Sequence, residues 1–359
     1  MNQKIEYMKM DKQMVYMLVA GIVWVLSFTS CENEIPYNPP LHVPRLVMNA
    51  LLEAGEEENF VYLSLSGANN ISHVDEAVVT LYVNGRAVEV AEELPPIQPF
   101  GNAPDTELPE IAKRKKFRLK TRFSPGDCLR LEAVAEGGRY RAEASVVVPQ
   151  PLDGLRVDTA TVMLRYRYDS WKPCRRYLVS IDDRPGELNY YRLDIRRELK
   201  IYGRSFVGND TVDFVKKTSL VNREDVVLTD GRPMTGDEED NFFLPNMENK
   251  FNIFSDRLFA GSSHTLKVYT ETLDDFITGV VHDVKRVEHK AVVRLLSLNE
   301  EEYRYLKALN CLDSDDYDTS LMEPVVIPSN VKGGLGFVGC SADVRMELEL
   351  PEVVFNGYM

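Results

Sequence analysis

Apolar and polar residues alternate along most of the chain beyond residue 44, and a period of two marks half-buried β-strands. In "AVVTLYVNGRAVEV", Ala77 to Val90, two alternating runs flank Asn84-Gly85, a pair suited to the left-handed residues of a type I′ turn. In "CLRLEAVAEGGRYRAEASVVV", Leu129, Leu131 and Ala133 alternate before Gly137-Gly138, and Tyr140, Ala142, Ala144 and Val146 alternate after it. "RLVMNALLEA", "NFVYLSLS" and "KFRLKTR" supply further strands. Short strands with turns at this spacing predict an Ig-like β-sandwich over residues 44–149. "VVVPQPLDG" then reads as a linker, because proline ends a ladder. A second mostly-β domain is expected over 151–355, from "ATVMLRYRY", "RYLVSIDD", "NYYRLDI", "HTLKVYT" and "VRMELEL". In the last, Val344, Met346, Leu348 and Leu350 should face inward, with Arg345, Glu347 and Glu349 outward. Turns are expected at Pro185-Gly186 and Asp230-Gly231.

One helix interrupts this pattern, in "SLNEEEYRYLKALN". Asn299 is placed as its N-cap, with Glu302 completing a capping box and Leu298 and Tyr303 forming a hydrophobic staple. Tyr303, Leu306 and Leu309 should be its buried stripe. The expected fold is therefore all-β: two β-sandwich domains, the first Ig-like, with one short helix near 300–310 in the second. Two long irregular loops, 94–110 with its prolines and 230–249 with its acids, complete the layout.

The first thirty residues follow a different pattern. Lys4, Lys9 and Lys12 precede Met14 to Phe28, which carries no charge. That run is shorter than the roughly 20 apolar residues of a membrane span. A basic start, a short apolar core and small residues before a cut point describe a secretion signal. Thr29 and Ser30 stand directly before Cys31, an order that resembles the lipobox of bacterial lipoproteins. Residues 1–30 are expected to be the signal peptide, and Cys31 the lipidated first residue of the mature chain. The competing reading is an uncleaved anchor with an ordinary cysteine. Two or more acyl chains hold a protein firmly to a bilayer, so a triacylated Cys31 would be a stable anchor. Glu32, Asn33 and Glu34 resemble the acidic surface-export signal of Bacteroidota lipoproteins. Residues 31–43, with the prolines of "IPYNPPLHVP", read as a stiff polyproline tether.

Charge and chemistry narrow the function further. A formal net charge of −14 argues against nucleic acid, whose binding requires Lys and Arg on phosphates. Cys128, Cys174, Cys311 and Cys340 contain no C-x-x-C pair, so neither a zinc site nor a redox motif is signalled, and their disulfide state stays open. No nucleophile elbow, H-E-x-x-H, Walker loop or dinucleotide fingerprint is present. The last three histidines, His264, His282 and His289, lack metal-ligand spacing. "LDSDDYDTS", Leu312 to Ser320, places Asp313 and Asp315 as in a calcium loop, but Asp318 stands where glycine is required. No catalytic, cofactor-binding or metal-ligating residue is assigned. The basic run "KRKKFRLKTR", Lys113 to Arg122, reads as a solvated edge strand, with contact to lipid phosphates or an acidic partner as the alternative. "VKGGLGFVG", Val331 to Gly339, reads as close backbone packing, with a partner-contact loop as the alternative.

Several stretches taken together are similar to a known family: "SCENEI", "PRLVMNALLEAGEEENFVYLSLS", "IDDRPGELNYYRLDI", "FSDRLFAGSSHTLKV", "LLSLNEEEYRYLKAL" and "EPVVIPSNVKGGLGFVG". Their order resembles a Bacteroidota outer-membrane lipoprotein family catalogued as domain of unknown function 4249. The glycine loop, Ser329, Asn330, Gly333, Gly334 and Gly336, carries much of that resemblance. The family has no assigned catalytic residues. The resemblance implies a lipid-anchored outer-membrane protein, facing the cell surface, that serves a TonB-dependent SusC-like nutrient importer as a non-enzymatic accessory. The alternative is a structural or adhesive surface protein that binds a host or matrix component.

Overall fold

The computed structural model describes residues 43–67, 71–96, 114–165, 171–205, 211–217, 225–229, 249–271, 281–314, 323–351 and 353–354. The expected signal and tether up to residue 42, with Cys31, Glu32, Asn33 and Glu34, the expected turn at Asp230-Gly231, the acids at 236–241, most of the 94–110 segment and residues 315–320 of the calcium-like stretch lie outside them. The described residues are mostly β with one short α-helix among them, as the alternation predicts. The first half contributes β1 (Leu46–Glu53), β2 (Asn59–Ser66), β3 (Ile71–Ser72), β4 (Ala77–Val83), β5 (Arg86–Val90), β6 (Glu92–Glu93), β7 (Lys115–Leu119), β8 (Cys128–Ala135) and β9 (Tyr140–Val147). The second contributes β10 (Arg156–Arg165), β11 (Trp171–Asp182), β12 (Tyr190–Ser205), β13 (Thr211–Lys217), β14 (Ile253–Ser255), β15 (Ser263–Glu271), β16 (Val281–Leu298), α1 (Glu300–Leu312), β17 (Val338–Glu349) and β18 (Val353–Val354).

One long sheet runs in the order β13-β12-β16-β17-β1-β2-β7-β6. Two smaller sheets, β5-β4-β8-β9 and β10-β11-β15, complete the β-structure of the described residues. Strand parity places both on the same side of the long sheet. On β17, Val338, Cys340 and Ala342 join a core with Met48, Leu63, Leu81 and Leu131. Val344, Met346 and Leu348, of the same parity, pack against a second core with Tyr177, Val179, Leu193 and Val293. The first core draws Val331, Val338, Cys340 and Ala342 from beyond the expected boundary at 149–151. The sheet itself crosses that boundary, because β1 pairs in parallel with β17, Ala50 beside Val338 and Leu52 beside Cys340.

The Asn84-Gly85 turn forms with φ of 51° and 80°, as the I′ geometry requires. The second part of β16 shows no alternation of exposure, because residues 291–298 are buried on both faces. A strand covered on both sides reads as a continuous apolar run and escapes a period-two search. The basic run is corrected: β7 is not an edge, since β6 pairs with it. Three of its cations are met by acids on β6 and just before β2, Arg118 by Glu58 and Glu92 at 2.9 Å each, Lys120 by Glu92 at 2.7 Å and Lys115 by Glu93 at 2.7 Å. Hydrogen bonding to Lys120 and Arg118 holds Glu92 below the ordinary carboxylate range.

Candidate functional site

The other face of the long sheet carries α1 and a group of charges. Leu296 and Leu298 of β16 point to this side and pack with Ile253, Tyr303 and Leu306. Arg294 shares their parity, so the same strand alternation that buries Val293 in the second core turns Arg294 toward the helix side. It is 1% exposed. Its Nη2 lies 2.7 Å from Glu53 and 3.2 Å from Glu56, and its Nε donates to Asp343 at 2.8 Å. Asp194 stands 3.7 Å away and accepts from Arg196 at 2.9 Å. Arg345 closes the group by reaching Asp343 and Glu56, each at 3.0 Å. Burial opposes charge on Arg294, but Glu53 and Asp343 more than offset it and raise its pKa above the ordinary value. Burial likewise opposes charge on Asp343, and its bonds to Arg294 and Arg345 win, lowering its pKa. The network thus fixes four strands, β1, β12, β16 and β17, through charges that must stay paired.

Beside this network the sheet is only partly covered, which leaves a cleft of about 470 Å³. Asn49, Leu51 and Glu53 of β1 and Phe60 and Tyr62 of β2 form its floor, because their neighbours of opposite parity are committed to the first core. Tyr305 and Leu309 of α1 and Phe337 form a wall. The rings of Tyr305 and Phe337 stack at 4.3 Å and 8°. Lys116 places its ammonium 3.7 Å from the centroid of Phe60, a cation over an aromatic face. The carboxylates of Glu53, Glu56 and Glu58 rim the cleft, each engaged by an arginine. Aromatic floor, stacked wall and fixed rim charges suit the holding of a ligand.

The helix start differs from the expected capping box. Asn299 stands at the N-cap position, but its side chain does not cap the helix and donates instead to the Val147 carbonyl at 2.8 Å. Glu302 is turned into the protein, 1% exposed, under Gly339. A Cβ on Gly339 would stand 2.7 Å from its Oε2. Burial pushes the Glu302 carboxyl up to about 7; Arg192 and the Cys340 N–H oppose the rise and Glu53 adds to it. The staple pair, Leu298 and Tyr303, does meet in one cluster, and Leu306 is fully buried while Leu309 is half-buried at the cleft.

A family model described as "Domain of unknown function (DUF4249)" matches residues 32–347. The chain belongs to the DUF4249 family. No curated protein matches it. Among solved structures, a DUF4785 family protein from Legionella pneumophila is similar at 8% identity with a TM-score of 0.24, over 72% of this chain. The DUF4249 chain spans about half of that protein, 54% of its length. The B domain of a biofilm associated protein is similar at 5% identity and a TM-score of 0.18, over 84% of this chain and 85% of that one.

In this DUF4249 protein the glycine loop straps two sheets together. The Leu335 N–H donates to the Leu46 carbonyl at 2.8 Å and the Met48 N–H to the Leu335 carbonyl at 2.9 Å. On the other side Lys332 and Glu143 of β9 exchange two backbone bonds. A Cβ on Gly334 would strike the Leu46 carbonyl oxygen, and one on Gly336, at φ +106°, the Met48 carbonyl oxygen. Ser329 donates to the Gly336 carbonyl at 2.7 Å, and Asn330 both donates to and accepts from the Val338 backbone. The close backbone approach thus accounts for Gly334 and Gly336 and also for Gly333, at φ +72°, where a Cβ would stand 2.9 Å from the Arg141 carbonyl oxygen; Ser329 is exposed at the surface of the strap. Asp313 is the C-cap of α1 and Ser314 is buried, while residues 315–320 of the calcium-like loop lie outside the described residues. His264 pairs with Asp225 at 3.3 Å, and burial, with Arg197 and Arg175 nearby, pushes His289 down to about 4. No disulfide joins Cys128, Cys174, Cys311 and Cys340 to one another among the described residues. Sequence reasoning missed Arg294, whose signal was a lone cation inside the apolar run "AVVRLLSL".

Proposed function

We propose that this chain is a surface-anchored outer-membrane lipoprotein acting as a non-enzymatic binding subunit of a TonB-dependent, SusC-like nutrient importer. The observation that carries the binding part is the cleft on the helix side of the long sheet. Its rim carboxylates are held by Arg294, Arg345 and Arg118, an arrangement for gripping a ligand rather than for shuttling protons. The cellular part rests on the order of basic residues, short apolar core and Thr29-Ser30-Cys31, followed by Glu32, Asn33 and Glu34. Lipid on Cys31 would tether the folded part to the membrane, and the proline-bearing 31–43 segment would hold it clear of the surface.

The test is capture of a carboxy-terminally tagged chain from outer membranes solubilised in mild detergent. A stoichiometric TonB-dependent barrel is the expected companion. Protease added to intact cells should cleave the chain, and Cys31→Ala should lose outer-membrane retention. A chain that comes down alone, and is protected from protease, removes the importer reading.

A further inference from the structure

We propose that the turn joining β11 to β12, together with the segment after β14, forms a binding site for a hard divalent cation of the calcium class. No three Asp, Glu, His or Cys side chains converge on a metal position among the described residues. Here two carboxylates are joined instead by main-chain carbonyls, a donor set that calcium accepts readily. The Asn189 amide nitrogen lies 2.8 Å from Asp256 Oδ2, 3.3 Å from Asp183 Oδ1, 3.3 Å from the Glu187 carbonyl and 3.4 Å from the Arg184 carbonyl. Four oxygens therefore surround one NH₂ group, which has only two hydrogens to give. The amide nitrogen stands where a cation would be.

The second observation is Asp256 itself. It is 0% exposed, and its Oδ1 has no hydrogen-bond partner among the described residues. Its other oxygen is fully used, accepting from both the Asn189 backbone N–H and the side-chain amide at 2.8 Å. An unpartnered oxygen of a buried carboxylate is costly unless a proton or a cation meets it. Burial and the neighbouring Asp183 both push the Asp256 carboxyl up, while Asn189 pulls it down. Asp183 is pinned in turn by the Gly261 N–H at 2.7 Å and by the Tyr191 hydroxyl at 3.4 Å. Arg184 is directed to the amide oxygen of Asn189, which accepts from it at 3.1 Å. Calcium–oxygen distances of about 2.3–2.6 Å require the cage to contract and Asn189 to rotate its amide oxygen inward. The tip at 185–188 is exposed and free of strand pairing, so it can follow.

The site does not depend on the importer reading, since it is tested on purified protein alone. After chelator treatment, terbium should give tyrosine-sensitised luminescence, through the adjacent Tyr191, that calcium displaces. Calcium should bind with a Kd on the order of 0.1–1 mM and at 10 mM should raise Tm by roughly 3 °C over the same concentration of magnesium. Asp183→Asn, at a half-exposed position, should weaken calcium at least tenfold in a protein that still folds by circular dichroism; Asp256→Asn should do the same. Tyr191→Phe should dim terbium emission while keeping the calcium shift. Absence of both signals in folded wild-type protein overturns the site and leaves Asp183 and Asp256 sharing a proton. Equal calcium binding in Asp183→Asn and wild type also overturns it, by placing the cation elsewhere on this acidic chain.

Discussion

The two faces of the long sheet solve the same packing problem in opposite ways. One is covered by two smaller sheets and filled with side chains such as Met48, Leu63, Leu193 and Val293, all 0 to 1% exposed. The other carries a helix, a buried arginine ringed by carboxylates, a neutral-leaning Glu302 and an open cleft. The apolar face gives non-directional stability in proportion to area. The polar face gives positions: Arg294 bonds to Glu53 on β1 and Asp343 on β17 and so sets how those strands meet. The cleft opens where charges are fixed and coverage is incomplete.

The largest expected difference comes from breaking each face at its centre. Arg294→Leu leaves Glu53, Asp194 and Asp343 without their shared cation and should cost about 3–5 kcal/mol in denaturant unfolding. Met48→Ala, on the apolar face, should cost about 2–5 kcal/mol as a cavity. The pair separates by rescue. Replacing Arg294, Glu53 and Asp343 together by apolar residues should recover most of the first loss, since an uncompensated charge and not a missing contact causes it. No apolar change elsewhere should recover the second. If the triple variant is no more stable than Arg294→Leu, the network acts by packing alone and the two faces are alike.

Glu302 gives the next effect, and it has a sign. Its carboxyl is raised from 4.5 to about 7 in the folded protein, so the fold binds this proton more tightly than the unfolded chain does. The penalty of ionising it is absent below about pH 4.5, grows as pH rises, and is complete above pH 7, on the order of 3 kcal/mol. Glu302→Gln should therefore gain stability relative to wild type between pH 5 and 8 and remove that slope. His289 acts at the opposite end. Held neutral by burial with its pKa near 4, it withdraws stability as pH falls from about 6.5. Unfolding midpoints measured from pH 4 to 9 in wild type and Glu302→Gln check both limbs; parallel curves would remove Glu302 as their cause.

Legibility in the sequence followed the same division. The apolar face was readable, because alternation is written one strand at a time: Leu129, Leu131 and Ala133 are each 0 to 1% exposed, as their period of two predicts. The polar face was not. Arg294, Glu53, Asp194 and Asp343 lie far apart in the chain and meet through the parallel β1–β17 pair and the β12–β16 and β16–β17 ladders, which no local pattern announces. Glu302 was misread because its spacing from Asn299 fits a capping box, and local rules say nothing of the Gly339 backbone that leaves room for it. The glycine loop was read from composition, yet its purpose as a strap depends on carbonyls of Leu46 and Met48 nearly 290 positions upstream.

That strap offers a smaller effect. Gly336→Ala combines a left-handed backbone with a clash against the Met48 carbonyl and should cost about 1–3 kcal/mol. Gly85→Ala, left-handed at φ +80° but with open space around it, should cost only the backbone part. Hydrogen exchange should rise along β1 in the first variant and only at the hairpin tip in the second. Equal losses in both would mean that closure of the sandwich by the strap contributes nothing.

The smallest effect tests whether charge pairing or its burial makes the polar face matter. Arg122 and Glu57 stand 2.6 Å apart, closer than Arg294 and Glu53 at 2.7 Å. Distance alone would make them equals. Arg122 and Glu57 are 61% and 82% exposed, however, so water and salt screen the pair, and ordering two long side chains consumes most of what is left. Arg122→Ala should change stability by no more than about 0.5 kcal/mol, and by less still in 0.5 M salt. The Arg294 loss should barely respond to the same salt, because its partners are shielded from the ions. A large, salt-insensitive cost at Arg122 would mean that the basic β7 region is coupled to the fold as tightly as the network beneath α1, and the contrast between buried and solvated charge would then fail where it should be simplest.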